Sequence, residues 1–387
     1  MKKQSQTKFI GTISAIVVIA LLIWLAWYFS TITLFIIISV IITLLAAPIK
    51  QLLQKIKIGK KQIGNNLSSV LSLLIIIGFI TLLFCVIIPP IHRQISSIAN
   101  LNPYSFQNSY NEQLQVVDEG LQNIGFLTED ESLEEVVFEA VVGKIKTLNV
   151  STFFSNVIQM IGDLFLGIFS ILFISFFFLK DVPKLHRYII NMMPNRYQKE
   201  TSHILTRSQR LLSNYFTGLA VEVVIMGVLE FVLLSVLHIE NALLIAVLGG
   251  ILVIIPFLGS IIACVLGCVL AVMGGYMLNP EVVLLPIVLK VVGTFVFCRL
   301  LDNFFLQPYI ASRSVKAHPL EIFLIVLISG TIAGVPGMML GIPAYTIIRI
   351  VASEFFGNNN FVKTLTRNLE GNPNLSQENQ VQKEGEI

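Results

Sequence analysis

The chain has 387 residues, of which 55% are hydrophobic and only 13% are charged, about half the charged fraction of an average soluble domain. So few polar side chains cannot cover a compact folded body, which excludes a soluble globular protein, a disordered chain and a nucleic-acid-binding protein. The net charge of +3 is uninformative, and the composition predicts an all-α integral membrane protein embedded in a lipid bilayer.

Four apolar stretches long enough to cross a membrane lie in the first half of the chain, at residues 9–29, 32–49, 67–91 and 153–179. A helix of about 20 residues spans the ~30 Å of hydrocarbon in a bilayer. The first stretch lacks a small-residue cleavage pattern and the second follows almost immediately, so the first is predicted to be a retained span rather than a signal peptide.

The second half contains two ordinary spans, 211–237 and 282–300, and two apolar stretches of 38 and 33 residues at 241–278 and 320–352. As one straight helix, each long stretch would exceed about 45 Å, which is too long for a bilayer. Proline and glycine interrupt both near the middle, so each is predicted to be a broken, re-entrant helical hairpin. The fold is therefore about six full transmembrane helices plus two hairpins.

The distribution of charge predicts the orientation. Residues 50–66 carry five lysines and no acid, and residues 180–210 carry seven basic and two acidic residues, whereas residues 92–150 carry nine acidic and three basic residues. The positive-inside rule places the first two segments and both termini in the cytoplasm and the third segment outside. The two hairpins then enter the membrane from opposite faces.

Five segments follow from this pattern. They are membrane helices 1–3 at 1–91, an extracytoplasmic helical insertion at 92–150, the fourth span with a basic cytoplasmic segment at 151–210, a transport core with both hairpins at 211–352, and a cytoplasmic, largely disordered tail at 353–387.

Catalytic and cofactor motifs are missing from the sequence. It contains no phosphate-binding loop, no His-Glu-x-x-His and no Gly-x-Ser-x-Gly, so neither an enzyme nor an ATP-driven pump is expected. All four cysteines lie in apolar segments, where they are expected to pack as small apolar groups rather than to bind a metal. No cofactor is expected.

Ionisable residues at membrane depth are the first candidates for function. Glu222 and Glu230 lie in the span 211–237, and Lys290 lies in the span 282–300. A charge near the bilayer centre costs about 2.5–3.5 kcal/mol and persists only inside a bundle or a wet cavity. These residues either line a polar path or form an interhelical ion pair between Lys290 and one of the two glutamates.

The helix breaks are the second set of candidates. Where a helix stops inside the membrane, its unpaired backbone groups must meet protein, water or cargo. The alternative is that the prolines only kink long tilted helices. The residues concerned are Pro256, Gly259, Gly334, Pro336 and Gly337.

A dense polar run at 299–321 directly precedes the second hairpin. Asn303 and Gln307 are expected to line the path and to bind a neutral polar cargo. Alternatively, the run is a cytoplasmic loop whose basic residues fix the topology.

These motifs together closely resemble the signature of the autoinducer-2 exporter (AI-2E) family. The matching positions are Tyr215, Gly218, Glu222, Gly249, Gly250, Pro256, Gly259, Asn303, Gln307, Pro308, His318, Pro319, Gly330, Gly334, Pro336, Gly337, Gly341 and Pro343. The resemblance implies a multi-pass secondary transporter of the bacterial cytoplasmic (inner) membrane that assembles as a homo-oligomer, with a pentamer as one candidate. The expected gating or motif positions are Tyr215, Gly218, Pro308, His318 and Pro319.

Some members of this family export autoinducer-2, and others exchange Na⁺ or Li⁺ for H⁺. The first expectation is export of a small polar metabolite or signal, driven by an ion gradient, with Glu222 and Glu230 as proton or cation sites. Cargo is expected where the hairpin tips at Pro256 and Pro336 meet. The alternatives are a Na⁺(Li⁺)/H⁺ antiporter and a membrane scaffold or channel.

Overall fold

A computed structural model describes residues 20–21, 24–58, 61–99, 150–278, 283–307 and 318–356. Most of the predicted first span, most of the predicted extracytoplasmic insertion, Pro308 and the tail beyond residue 356 lie outside the described residues.

The described chain is almost entirely helical, in agreement with the predicted all-α membrane fold. Its helices are α1 (Ser30–Lys55), α2 (Asn65–Ala99), α3 (Val150–Met192), α4 (Gln198–Val236), α5 (Ala242–Leu252), α6 (Leu258–Leu278), α7 (Leu284–Leu301) and α8 (Pro319–Phe356). Shorter elements are a 3₁₀ turn (Asn195–Tyr197), a π-helix (Asp302–Leu306) and the antiparallel two-residue strands β1 (Lys57–Ile58) and β2 (Lys61–Gln62).

Seven of the described helical segments are long and apolar enough to cross a membrane. Two of them belong to the broken stretches, and the other five correspond to predicted spans. The chain divides into two compact units, the first formed by Met1–Ile76 and Gln159–Arg187 and the second by Ile77–Ile158 and Tyr188–Ile387.

Small hydroxyl side chains join α1 to α3 in the first unit. Ser39 Oγ donates to the Ile171 carbonyl at 3.0 Å, and Ser175 Oγ donates to the Ser39 carbonyl at 3.3 Å. Both serines are fully buried. Because lipid tails are as apolar as leucine, helices in a bilayer associate through close packing and such polar contacts rather than through the hydrophobic effect.

A proline kink in α3 is stabilised by its neighbours. Pro183 has no N–H to offer the carbonyl of Leu179, four residues earlier. Lys50 Nζ donates to that carbonyl at 2.7 Å, and Asn65 Nδ2 donates to the next carbonyl, of Lys180, at 3.1 Å. Side chains from α1 and α2 therefore supply donors where α3 is bent.

Glycines bring α4 and α5 together in the second unit. A β-carbon added to Gly250 would lie 2.7 Å from the Val223 carbonyl oxygen and 3.0 Å from the Gly227 α-carbon. The two backbones are thus in direct contact, as small residues allow in membrane helix pairs.

The stretch 241–278 is a hairpin, as predicted. Helix α5 has 11 residues and is about 16 Å long, which is too short to cross a bilayer. The chain reverses at residues 253–257, and Phe257 takes a left-handed conformation with φ of 65°. Near the open end, Asn241 Nδ2 donates to the Leu270 carbonyl at 3.2 Å, which joins the base of α5 to α6.

The second long stretch also reverses. Gly334 has φ of 60° and ψ of −142°, a conformation that is essentially restricted to glycine. Tyr345 Oη donates to Glu321 Oε2 at 2.9 Å, although a straight helix would separate these residues by about 36 Å. The alternative that the prolines only kink continuous helices is therefore wrong.

The two hairpins open toward opposite ends of α4. The base of the first hairpin follows directly after the end of α4. The second hairpin ends beside the start of α4, where Arg207 Nη1 lies 3.9 Å from Glu354 Oε1 and Ile350 packs on Leu211. The predicted opposed arrangement is confirmed by these contacts.

Candidate functional site

A pair of buried carboxyl groups lies where α4 meets the π-helix. Glu222 is 8% exposed and Asp302 is completely buried, and their carboxyl groups are in hydrogen-bonding contact. We call Glu222 and Asp302 the carboxyl pair. Two carboxylates in contact repel each other strongly unless a proton or a cation lies between them.

Asp302 is held in place by two donors from its own segment. Arg299 Nη1 donates to Asp302 Oδ2 at 2.7 Å, and Gln307 Nε2 donates to the same oxygen at 3.0 Å. The π-helix explains the second contact, because its i→i+5 geometry places Gln307 one turn from Asp302. The other oxygen, Oδ1, is buried and accepts no hydrogen bond from the described residues.

Tyr215 and Gly218 lie on α4, before Glu222. Tyr215 is buried and close enough to Glu222 to interact electrostatically with it. Its ring also packs edge-to-face on Phe216, with ring centroids 5.2 Å apart. The carboxyl pair is therefore bordered by an aromatic hydroxyl group as well as by the Arg299 guanidinium group.

Glu230 forms a second buried site, two turns further along α4. It is only 2% exposed, and its carboxyl group packs against Gly249 of α5 in the space that a side chain would occupy. The thiol groups of Cys264 and Cys298 are its electrostatic neighbours. Glu230 Oε2 has no hydrogen-bond partner among the described residues. In the described part of the chain, no three His, Cys, Asp or Glu side chains form a cluster that could hold a metal.

Lys290 pairs with neither glutamate. It is exposed, and its Nζ donates to the carbonyl of Leu237, just after α4 ends, at 3.3 Å. The last carbonyls of a helix lack internal donors, so this contact satisfies one of them. The proposed ion pair between Lys290 and Glu222 or Glu230 is therefore wrong.

The two hairpin tips lie apart. The Phe257 ring at the first tip packs edge-to-face on Phe323, with ring centroids 5.4 Å apart. Phe323 precedes Ala333 at the second tip by ten residues, or about 15 Å of helix. The first tip, with Pro256 and Gly259, thus contacts the base of the second hairpin, and the expectation that the tips meet is not confirmed.

Three glycines and a proline shape the second tip. Gly334 makes the turn, and Pro336 opens the returning arm. Side chains added at Gly337 and Gly341 would collide with Ser329 on the opposite arm. The glycines therefore let the two arms close tightly.

The polar run before the second hairpin divides between different environments. Asn303 is exposed on the π-helix, whereas Gln307 is already engaged by Asp302. His318 is exposed at the start of α8, and its Nδ1 accepts the Leu320 N–H at 3.3 Å, so it caps the helix that Pro319 begins. The path and gating roles of these residues stay predictions.

Sequence reasoning singled out Glu222 but missed its partner Asp302 and the supporting Arg299. The available signal was their i, i+3 spacing at the end of an apolar span, which is the spacing of an intrahelical ion pair.

Comparison with known proteins gives a consistent result. The sequence profile described as "AI-2E family transporter" matches residues 13–356. The chain is 25% identical over 300 residues to YueF of Bacillus subtilis (strain 168), named as a candidate transport protein, with 76% of this chain and 78% of YueF covered. It is 23% identical over 263 residues to the AI-2 transport protein TqsA of Escherichia coli (strain K12), covering 67% of this chain and 71% of TqsA.

Proposed function

Because the chain belongs to the AI-2E family of transporters, we propose that it is a secondary transporter, not an enzyme, that exports a small polar metabolite or signal such as autoinducer-2. We further propose that an ion gradient drives this export. The similarity to TqsA, named as an AI-2 transport protein, supports the choice of cargo. The observation that carries the coupling is the carboxyl pair.

The carboxyl pair has the properties of a proton-coupling site. Burial inside the membrane makes two negative charges in contact very unfavourable. Arg299 and Gln307 both donate to Asp302 and so favour its charged form. Glu222 contacts Asp302 itself, and we propose that Glu222 is the member that takes up and releases the proton.

Glu230 is proposed as a second proton or cation site. Its buried oxygen without a hydrogen-bond partner is unfavourable when charged and becomes acceptable when it binds a proton or a small cation. The position lies about 12 Å from Glu222 along α4. A transported ion could then be bound at two levels of the same helix.

The hairpins supply the mobile part of the proposed mechanism. Broken helices at membrane depth line the substrate path in many secondary transporters. The tip of the first hairpin contacts the second hairpin through Phe257 and Phe323. Val253, at the same tip, packs on Met226 and Cys298. Each of these two residues lies about one helical turn from a member of the carboxyl pair. A change of protonation at the pair is thus transmitted to the tip by direct packing.

Flux measurements in proteoliposomes test the proposal. Autoinducer-2, Na⁺ and H⁺ fluxes are measured under an imposed pH gradient for the wild type, Glu222→Gln and Asp302→Asn. Glu240→Gln, the same chemical change at an exposed turn, is the matched control. Both pair variants should lose gradient-driven flux while the control keeps it. Retention of pH-dependent transport in both pair variants would show that the pair has no coupling role.

A Na⁺(Li⁺)/H⁺ antiporter is the second candidate, because the carboxyl pair and Glu230 could exchange cations for protons without an organic cargo. The same liposomes discriminate between the two functions. Proton flux that depends on Na⁺ or Li⁺ and is unaffected by autoinducer-2 would favour the antiporter.

The assembly and orientation belong to the same proposal. We expect a homo-oligomer with both termini in the cytoplasm. Cross-linking in native membranes and the accessibility of single cysteines to an impermeant reagent measure these two properties.

A further inference from the structure

A basic surface lies at one end of the first unit. Six basic residues with described side chains contribute to it, against one acid at the same level, Asp181, and that acid is paired with Lys184 at 2.9 Å. Asp163, the other acid of the unit, lies 18 residues earlier on α3, about 27 Å away. The basic surface consists of Lys50, Lys55, Lys57, Lys180, Lys184 and Arg187.

Hydrogen bonds bring the two halves of this surface together. Lys50 on α1 donates to the Leu179 carbonyl, and Asn65 at the start of α2 donates to the Lys180 carbonyl. The segment between α1 and α2, which contains β1 and β2, is thereby placed next to the basic part of α3. The positive charges are thus concentrated on one part of the structure rather than spread along the chain.

The basic surface lies at the end of an apolar span. Lys55 occupies the last turn of α1, where an apolar span ends. The Lys180 ammonium group lies 5.6 Å from the Phe176 ring centroid and 5.9 Å from that of Phe177. Lysines near the end of an apolar span extend their ammonium groups into the headgroup layer while their hydrocarbon stems pack on apolar neighbours such as these rings.

Exposed apolar side chains lie directly beside these charges. Leu52 is 62% exposed, Ile56 is 51% exposed and Phe177 is 42% exposed, and each is within a few residues of an exposed or partly exposed lysine. A ligand that satisfies both features must carry a negative headgroup and a hydrocarbon chain.

We propose that the basic surface binds the phosphate headgroup of an anionic phospholipid, whose acyl chains lie against the exposed apolar side chains of α1 and α3. A soluble anion matches the charges but not the adjacent apolar groups. The proposal concerns the first unit and does not depend on the cargo or coupling ion of the second.

Lipid retention by the purified full-length protein tests this proposal. The apparent affinities for phosphatidylglycerol and phosphatidylcholine of equal chain length are measured by native mass spectrometry. Lys55→Gln/Lys57→Gln removes two exposed charges from the surface, and Arg196→Gln/Lys199→Gln removes two exposed charges from the second unit as a matched control. A second surface variant, Lys57→Gln/Arg187→Gln, covers the case in which the first does not fold.

The wild type should bind phosphatidylglycerol more tightly than phosphatidylcholine. Each charge removed from the surface should weaken phosphatidylglycerol binding roughly fivefold, and 1 M NaCl should weaken it as well. The control variant should keep the wild-type preference. An equal loss in the control, no loss in either surface variant, or equally tight binding of glycerol 3-phosphate without acyl chains would overturn the proposal.

Discussion

The glycine contact between α4 and α5 makes a quantitative prediction. In Gly250→Ala, the new β-carbon would lie 2.7 Å from the Val223 carbonyl oxygen and 3.0 Å from the Gly227 α-carbon. The neighbours are backbone atoms, so no side chain can rotate away. The helices must separate by roughly 0.7 Å, the difference between 2.7 Å and the 3.4 Å at which ordinary contacts begin.

The expected magnitude combines two opposing terms. Overpacking of this kind costs about 1–3 kcal/mol, and alanine regains up to about 1 kcal/mol of helix propensity over glycine. The free energy of unfolding should therefore fall by about 1–2 kcal/mol. At about 2–4 °C per kcal/mol, the Tm should fall by about 2–8 °C.

Gly293→Ala is the matched control, because a β-carbon at Gly293 of α7 meets nothing within 4 Å. It should raise the Tm slightly or leave it unchanged. The assay is thermal unfolding of the detergent-solubilised protein, in which size-exclusion chromatography measures the fraction that remains folded after heating. If Gly250→Ala is as stable as Gly293→Ala, the α4–α5 backbone contact is not as close as described.

The other predictions concern single backbone and side-chain contacts. Gly334→Ala should lower the free energy of unfolding by about 1–3 kcal/mol through backbone strain alone, since φ is +60° and no atom lies within 4 Å of the added carbon; an unchanged Tm would contradict this turn geometry. Lys50→Met should lower the free energy of unfolding by about 1–3 kcal/mol, because the Leu179 carbonyl loses its donor. Adding Pro183→Ala should recover much of this stability, because residue 183 then has a backbone N–H that can donate to that carbonyl. If the double variant is no more stable than Lys50→Met, this explanation is wrong. Tyr345→Phe removes the hydrogen bond to Glu321 and should destabilise the second hairpin by about 0.5–3 kcal/mol. The effect should appear as faster amide hydrogen exchange in both arms of the hairpin. Unchanged exchange would show that this hydrogen bond does not hold the two arms together.

The hairpins could be predicted from the sequence because their signals are local. A stretch of 38 apolar residues interrupted at Pro256 and Gly259 is incompatible with one straight span, and this follows from the helical rise and the bilayer thickness alone. The same reasoning found the reversal at Gly334. Charge asymmetry then supplied the opposed directions.

The partners of the candidate residues could not be predicted in the same way. The contact between Glu222 and Asp302 joins residues 80 positions apart, and it depends on a π-turn for which the sequence carries no periodic signal. Lys290 was expected near a glutamate because both lie in the membrane. Its height along α7 relative to α4 is set by helix packing, and that packing puts it beside the Leu237 carbonyl instead.

The prediction that the two hairpin tips meet was not confirmed, for a similar reason. Each reversal is encoded within its own stretch, but the depth at which one hairpin docks on the other depends on side chains such as Phe257 and Phe323. The chain has 27 phenylalanines, and the sequence alone does not indicate which two of them will be in contact.

The bend in α3 has a consequence for biogenesis. The Leu179 carbonyl is completed by an ammonium group on α1, a helix that leaves the ribosome more than a hundred residues earlier. As α3 enters the lipid, this peptide group must stay hydrated until the earlier helix reaches it. Helix α1 must therefore be in place before the bend in α3 is complete. A chain lacking α1 would insert α3 with the Leu179 carbonyl still without its side-chain donor.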